Sequence, residues 1–329
     1  MAAASINNDE KRDQPGEQAA GGEQQAGDVQ SQPNAPKAGH HDGDVPASSL
    51  KLWLAAMGGA FKFLTRLPWP FPAPYSEQAF RRSVVFYPLV GLAIGLLLAA
   101  CSYAGSRLLP PLPAAVLLAG LWTALSGALH LDGLMDTADG LFSHRSRERR
   151  LEIMKDSRVG AMGVITCVFM VLWKISLLSA LLPASPSAAV ALALIPLWSR
   201  CFMVWAITGW PYARAEGGLG GLLAGIPLRY AAAATVLAAV LSAALLWPLG
   251  FAADPGGGLH DLRSEAAGTA ALVLFLGLPA VGALCAIGTA AVIARKLGGQ
   301  TGDTYGAINE LVEAVLLAVV LCWTQAWSI

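Results

Sequence analysis

The chain has 329 residues, 55% of them hydrophobic and 13% charged, with a mean hydropathy of +0.54. That charged share is about half the roughly 25% of a soluble globular domain, which excludes that class and predicts an all-α, polytopic integral membrane helix bundle. The formal net charge of +0 joins two unlike parts: residues 1–50 hold eight acids and three bases, and the remainder holds 19 bases and 14 acids. A basic body in a bilayer favours anionic lipid or phosphate partners, and no nucleic acid is expected.

In chain order, residues 1–49 are rich in Gln, Gly, Ala, Asp and Pro and lack an apolar run, so they read as a disordered tail without a signal peptide. His40-His41 within it reads as incidental. Residues 50–329 are expected to form one transmembrane domain, which holds every candidate catalytic residue named below. Its first stretch, 50–74, is apolar but carries Lys51, Lys62 and Arg66 and ends in a Pro and aromatic cluster, which suits an interfacial or re-entrant segment. Seven spans are expected after it, over about 84–104, 113–131, 161–182, 188–208, 231–251, 269–294 and 308–327. The five cysteines, Cys101, Cys167, Cys201, Cys285 and Cys322, are scattered singly and read as small buried hydrophobes.

Alternation across seven spans puts twelve bases on one side: Arg81, Arg82, six within 132–160, Arg214, Arg229, Arg295 and Lys296. Only Arg107 and Arg263 fall on the other, with the acids Asp254, Asp261 and Glu265. Positive charge marks the cytoplasmic side, so the chain is expected in a bacterial inner membrane with its polar loops facing the cytoplasm.

Those loops carry the chemistry. Asp132, Asp136 and Asp139 follow i, i+4, i+7 spacing, which on a helix places them within an arc of roughly 60°. Three carboxylates on one stripe repel each other unless a cation sits between them. With Asp156 they make an all-oxygen donor set suited to Mg²⁺, as one or two ions with Mn²⁺ able to substitute, rather than to zinc. Gly298 to Gly306 forms a Gly-rich turn ahead of the last span, whose opening residues include Asp303, Glu310 and Glu313. Carboxylates that deep in an apolar helix need a cation or a polar cavity. Arg214, Arg200, Arg158 and Lys155 are candidate phosphate clamps, while Lys174 reads equally as a snorkelling side chain. His130 closes the second span and is a candidate for catalysis or for packing. Carboxylates, cationic clamps and a Gly-rich turn, without a Ser-His-Asp or Cys-His set, are the equipment of phosphoryl-type transfer.

Four motifs carry a resemblance: Phe86 to Gly91, His130 to Leu141 (HLDGLMDTADGL), Glu152 to Gly160 (EIMKDSRVG) and Thr301 to Ala307 (TGDTYGA). From about residue 50 onward the chain resembles the cobalamin synthase (adenosylcobinamide-GDP ribazoletransferase) family. The resemblance implies a Mg²⁺-dependent attack by a ribose hydroxyl of α-ribazole, or of its 5′-phosphate, on the corrinoid-side phosphate of adenosylcobinamide-GDP, with release of GMP. For that reaction the residues read above take their roles: Asp132, Asp136, Asp139 and Asp156 as metal ligands, and Arg158, Arg200, Arg214 and Lys155 on the phosphates. Asp303, Glu310 and His130 are then the candidates for completing the metal shell or taking the hydroxyl proton. A homo-oligomer, or association with other cobalamin-assembly enzymes, is left open.

Asp136-x-x-Asp139-Gly140 also resembles the start of the CDP-alcohol phosphotransferase signature, but Ser143-His144-Arg145 replaces the Ala-Arg pair that follows in that family. A lipid-making phosphotransferase is therefore the alternative enzyme. A transporter is the alternative outside catalysis, and the gathering of acidic motifs on one face argues against it.

Overall fold

The computed structural model describes residues 49–182, 185–215, 218–250 and 261–327. The expected tail lies outside the described residues except for Ser49, and so does Asp254. In chain order the helices are α1 (Ser49–Leu64), α2 (Glu77–Ser83), and, through a 3₁₀ turn at Val84–Phe86, α3 (Tyr87–Leu108). They continue as α4 (Pro111–Leu125), α5 (Leu129–Phe142), α6 (Arg147–Ile153), α7 (Ala161–Leu181) and α8 (Pro186–Gly209). The last four are α9 (Leu219–Leu222), α10 (Arg229–Gly250), α11 (Asp261–Leu297) and α12 (Gly302–Trp327).

Six stretches, carried by α3, α7, α8, α10, α11 and α12, are long and apolar enough to cross a membrane, and the bent pair α4–α5 makes up to seven. The expected multi-pass helix bundle is thus the fold. At 1.5 Å per residue the 16 residues of α1 reach about 24 Å, short of the ~30 Å hydrocarbon core, as the charged first stretch suggested.

The second span departs from expectation. Instead of one helix over 113–131, α4 stops at Leu125 and α5 resumes at Leu129 with an 88° bend between them. The cause is a local helix terminator. The Ala128 N–H donates to the Thr123 carbonyl (2.9 Å) and the Gly127 N–H to the Ala124 carbonyl (3.0 Å), while Gly127 sits at φ +61. This is the Schellman pattern with glycine in the left-handed position, and it satisfies the carbonyls that a broken helix would otherwise expose to lipid. A side chain at Gly127 would also run into the Arg66 guanidinium. The bend turns α5 across the bundle.

At the centre stands α8, 89% buried along its apolar window against 28% for α7. Gly91 and Gly95 of α3 lie directly on the α8 backbone at Pro196 and Ala193, where a Cβ would collide with carbonyl oxygens. The outer surface is apolar: Phe169, Leu284 and Trp247 are largely exposed, a surface suited to lipid. Of the five cysteines only Cys201 is buried; Cys101 and Cys322 are exposed, since apolar helices in a bilayer need not hide their apolar residues.

Candidate active site

The site forms where α5 crosses the first turns of α12. Gly133 rests on the backbone of Asp303, where a Cβ would come to 2.5 Å of its carbonyl oxygen, and Gly306 rests on the backbone of His130. Two glycines therefore set the crossing distance, and any larger residue would push the helices apart. This contact carries the aspartate stripe of α5 onto Asp303. The charges acting most strongly on Asp136 are those of Asp303, Asp132 and Asp139, in that order, with Arg214 opposing them.

A second arrangement holds the loops. Residues 211–213 pair with Gln300 by two backbone hydrogen bonds, Ala213 N–H to the Gln300 carbonyl (2.7 Å) and Gln300 N–H to the Pro211 carbonyl (2.8 Å). Gly298 at φ +75 makes the turn into this pairing. Thr301 and Thr304 cap α12 reciprocally, each hydroxyl accepting from the other's backbone N–H. The outcome is an ion pair: Arg214 Nη2 donates to Asp303 Oδ2 at 2.6 Å, and the Thr301 hydroxyl donates to the same oxygen. Asp303 Oδ1 has no hydrogen-bond partner among the described residues.

The remaining sequence candidates take different places. Asp139 accepts from the N–H groups of Gly160 (2.8 Å) and Gly163 (2.7 Å), so its carboxylate caps α7 from a neighbouring helix. A Cβ at either glycine would strike that carboxylate, which gives both glycines a reason. Asp156 and Arg158 bind each other on the exposed loop before α7, and these hydrogen bonds hold the Asp156 carboxyl down at about 2, from 3.8. Lys155 lines a polar cleft of about 490 Å³ with Arg147 and Arg214.

Glu310 and Arg200 have neighbours other than those expected. Lys174 of α7 donates to Glu310 and to Glu313, both at 2.7 Å, and Arg200 Nη1 of α8 donates to Glu313 at 2.7 Å. Ser199 and Asn309 also donate to Glu313. The Lys174 ammonium lies 4.7 Å from the centre of the Trp122 ring, so α4, α7, α8 and α12 all meet at this group. Arg200 is fully buried, and placing it on a substrate phosphate is at odds with its position against Glu313. Lys174 does not snorkel.

Beneath the Arg214–Asp303 pair lies a cavity of about 240 Å³. His130 and Asp132 line it, with Leu64, Met203 and Leu223 among its apolar walls. His130 is buried, and neither of its ring nitrogens has a hydrogen-bond partner among the described residues. Tyr87 also lines the cavity, and its hydroxyl likewise lacks a partner among the described residues; Ser83, one turn earlier, donates to the Phe80 carbonyl instead. The sequence signal for Tyr87 was slight: a phenol beside Pro88 at the start of a span.

Among the described residues no three His, Cys, Asp or Glu side chains are drawn together at ligand distance. The donor chemistry nevertheless suits a hard divalent cation: Asp132 and Asp136 have no hydrogen-bond or ion-pair partner among the described residues, and Asp303 faces them.

Fold and site together define a multi-pass membrane protein with a carboxylate-rich polar site at one end of its bundle. The chain belongs to the cobalamin-5-phosphate synthase family, whose model matches residues 56–321. It is similar to proteins named adenosylcobinamide-GDP ribazoletransferase: 39% identical to that of Brevibacillus brevis over 80% of this chain and 96% of the relative. Against that of Syntrophobacter fumaroxidans the identity is 41% over 80% of this chain and 97% of the relative, and against that of Desulforamulus reducens it is 41% over 81% and 96%. No solved structure matches.

Proposed function

We propose that the chain catalyses the final assembly of cobalamin, joining adenosylcobinamide-GDP to α-ribazole with release of GMP, at a site on the cytoplasmic face of a bacterial inner membrane. Family membership supports the reaction, and the observation that carries the site is the meeting of Asp132, Asp136, Asp303 and Arg214 at the α5–α12 crossing. In the reaction, an acceptor ribose hydroxyl forms a new bond to the corrinoid-side phosphorus. The bond from that phosphorus to the bridging oxygen of the pyrophosphate breaks, GMP carries the oxygen away, and the hydroxyl proton must find a base.

Asp303 is suited to receive that proton, because Oδ1 is uncommitted while Arg214 and Thr301 orient the carboxylate through Oδ2. Arg214 is suited to neutralise the pentacoordinate phosphate, its fork reaching the reacting group from the loop side. Asp132 and Asp136 are the residues that would hold Mg²⁺, which when bound supplies charge neutralisation of the pyrophosphate. Asp139 supports them by fixing α5 against α7. The 5′-phosphate of α-ribazole is an equally allowed acceptor, since the attacking hydroxyl is the same. The direct experiment reconstitutes the full chain in nanodiscs, supplies adenosylcobinamide-GDP and α-ribazole, and follows GMP and the corrinoid product chromatographically. GMP formed together with a joined product supports the assignment; an unchanged corrinoid would refute it.

A further inference from the structure

The cavity under Arg214 and the cleft beyond it share one wall. Arg214 lines both, and the two differ in character: the inner cavity sets Leu64, Met203, Ile207 and Leu223 beside Asp132 and Asp303, whereas the outer cleft has Arg147, Glu148, Glu152 and Lys155. At about 240 Å³ the inner cavity lies below the roughly 300–1,000 Å³ of a site that encloses a whole drug-sized ligand, so it admits one planar bicycle and excludes a corrin macrocycle.

On its lining is a specific polar demand. His130 is 2% exposed, with both ring nitrogens unpartnered among the described residues, which is costly unless a ligand supplies the missing bond. An imidazole offers one N–H donor and one acceptor. Resting on the function proposed above, two heteroaromatic rings compete for this space. The guanine of the donor carries amino and ring N–H groups and a carbonyl around its edge, more than the His130 imidazole can meet, since Asp132, Asp303 and Arg214 on the same lining are taken by the reaction proposed above. The base of α-ribazole is a benzimidazole, apolar along its outer edge and bearing a single free ring nitrogen that accepts one hydrogen bond.

We infer that the inner cavity seats the benzimidazole of the acceptor nucleoside, that His130 donates the hydrogen bond that recognises its free nitrogen, and that the polar cleft across Arg214 is left for the nucleotide of the donor. His130 is then a specificity residue, in contact with substrate but distant from the bonds that change. This arrangement puts the acceptor ribose between the base and the Asp303–Arg214 pair, where its hydroxyl is needed.

The test is equilibrium binding of α-ribazole, without donor or Mg²⁺, to the full chain in nanodiscs, with GMP binding measured in parallel. His130→Phe keeps a flat ring of similar shape and removes the donor; it should weaken α-ribazole by about tenfold and leave GMP within twofold. Wild-type protein should prefer α-ribazole over its indole analogue, which lacks the free nitrogen, and His130→Phe should abolish that preference, an outcome a merely structural histidine would not produce. Leu223→Trp, which fills the cavity, should abolish α-ribazole binding. Should that variant not fold, Leu219→Trp, at an exposed position lining the same cavity, serves in its place. Weakened GMP binding with α-ribazole unaffected would assign the cavity to guanine and overturn the proposal, as would equal affinity for the two analogues in wild-type protein. The binding assay is independent of turnover: absence of GMP release would defeat the reaction assigned above, while unchanged α-ribazole affinity in active variants would defeat the seat alone.

Discussion

The bundle holds two groups of charged residues within a few helical turns of α12, and they differ in balance. The inner group sets two cations, Lys174 and Arg200, against two carboxylates, Glu310 and Glu313, with every carboxylate paired at 2.7 Å. Among the described residues, the outer group sets Asp132, Asp136, Asp139 and Asp303 near the guanidinium of Arg214. One is balanced in charge, the other acidic. The same side-chain types thus serve two ends: a balanced network in low dielectric fixes four helices, whereas an unbalanced one at the bundle's end waits for a charge from outside.

If this contrast is right, the largest effect on folding comes from the inner group. Glu313→Gln leaves Arg200 buried without its counter-ion, and should lower unfolding stability by about 3–5 kcal/mol, read as a depressed melting temperature in nanodiscs. A wild-type melt would erase the distinction. The outer group should behave oppositely: Asp136→Asn removes repulsion and so should keep or raise the melting temperature while slowing GMP release by about 10²–10³-fold. Arg214→Lys preserves charge but not the planar guanidinium whose Nη2 reaches Asp303, and should slow turnover by about tenfold with little change in melting. Smallest is Arg158→Ala. Because Asp156 is held at about 2, below its ordinary 3.8, the contribution of that pair is complete above about pH 4 and is lost as the pH falls toward 2. The variant should therefore lose a little stability at pH 7, within the small range of an exposed pair, and its unfolding curve should converge on that of the wild type as the pH falls toward 2; a large drop in the melt at neutral pH would give the loop a structural weight it does not have here.

Much of this was legible beforehand because composition and spacing speak directly about solvent and face. Helix type, the multi-pass architecture and the aspartate stripe followed from apolar length and from the i, i+4, i+7 pattern. The break at Gly127 did not, because a long apolar run outweighs one glycine in a hydropathy reading; the Ser126-Gly127 pair was the available clue, and only the backbone hydrogen bonds reveal the turn. Partnership was hidden for the same reason. Sequence places Arg200, Lys174 and Glu313 on separate spans, and nothing in their spacing tells that they meet each other rather than a substrate. Asp139 shows the limit most plainly: it lies on the stripe, yet both its oxygens are engaged by amides of the next helix.

The claim that the outer group is completed by a divalent cation is tested most directly by electron paramagnetic resonance of Mn²⁺ titrated into the purified full chain, compared with the Asp132→Asn/Asp136→Asn variant. The account predicts bound Mn²⁺ in the wild-type protein, displaced by Mg²⁺ and lost in the double variant while its melting temperature is maintained. Equal Mn²⁺ binding by the two proteins would contradict it.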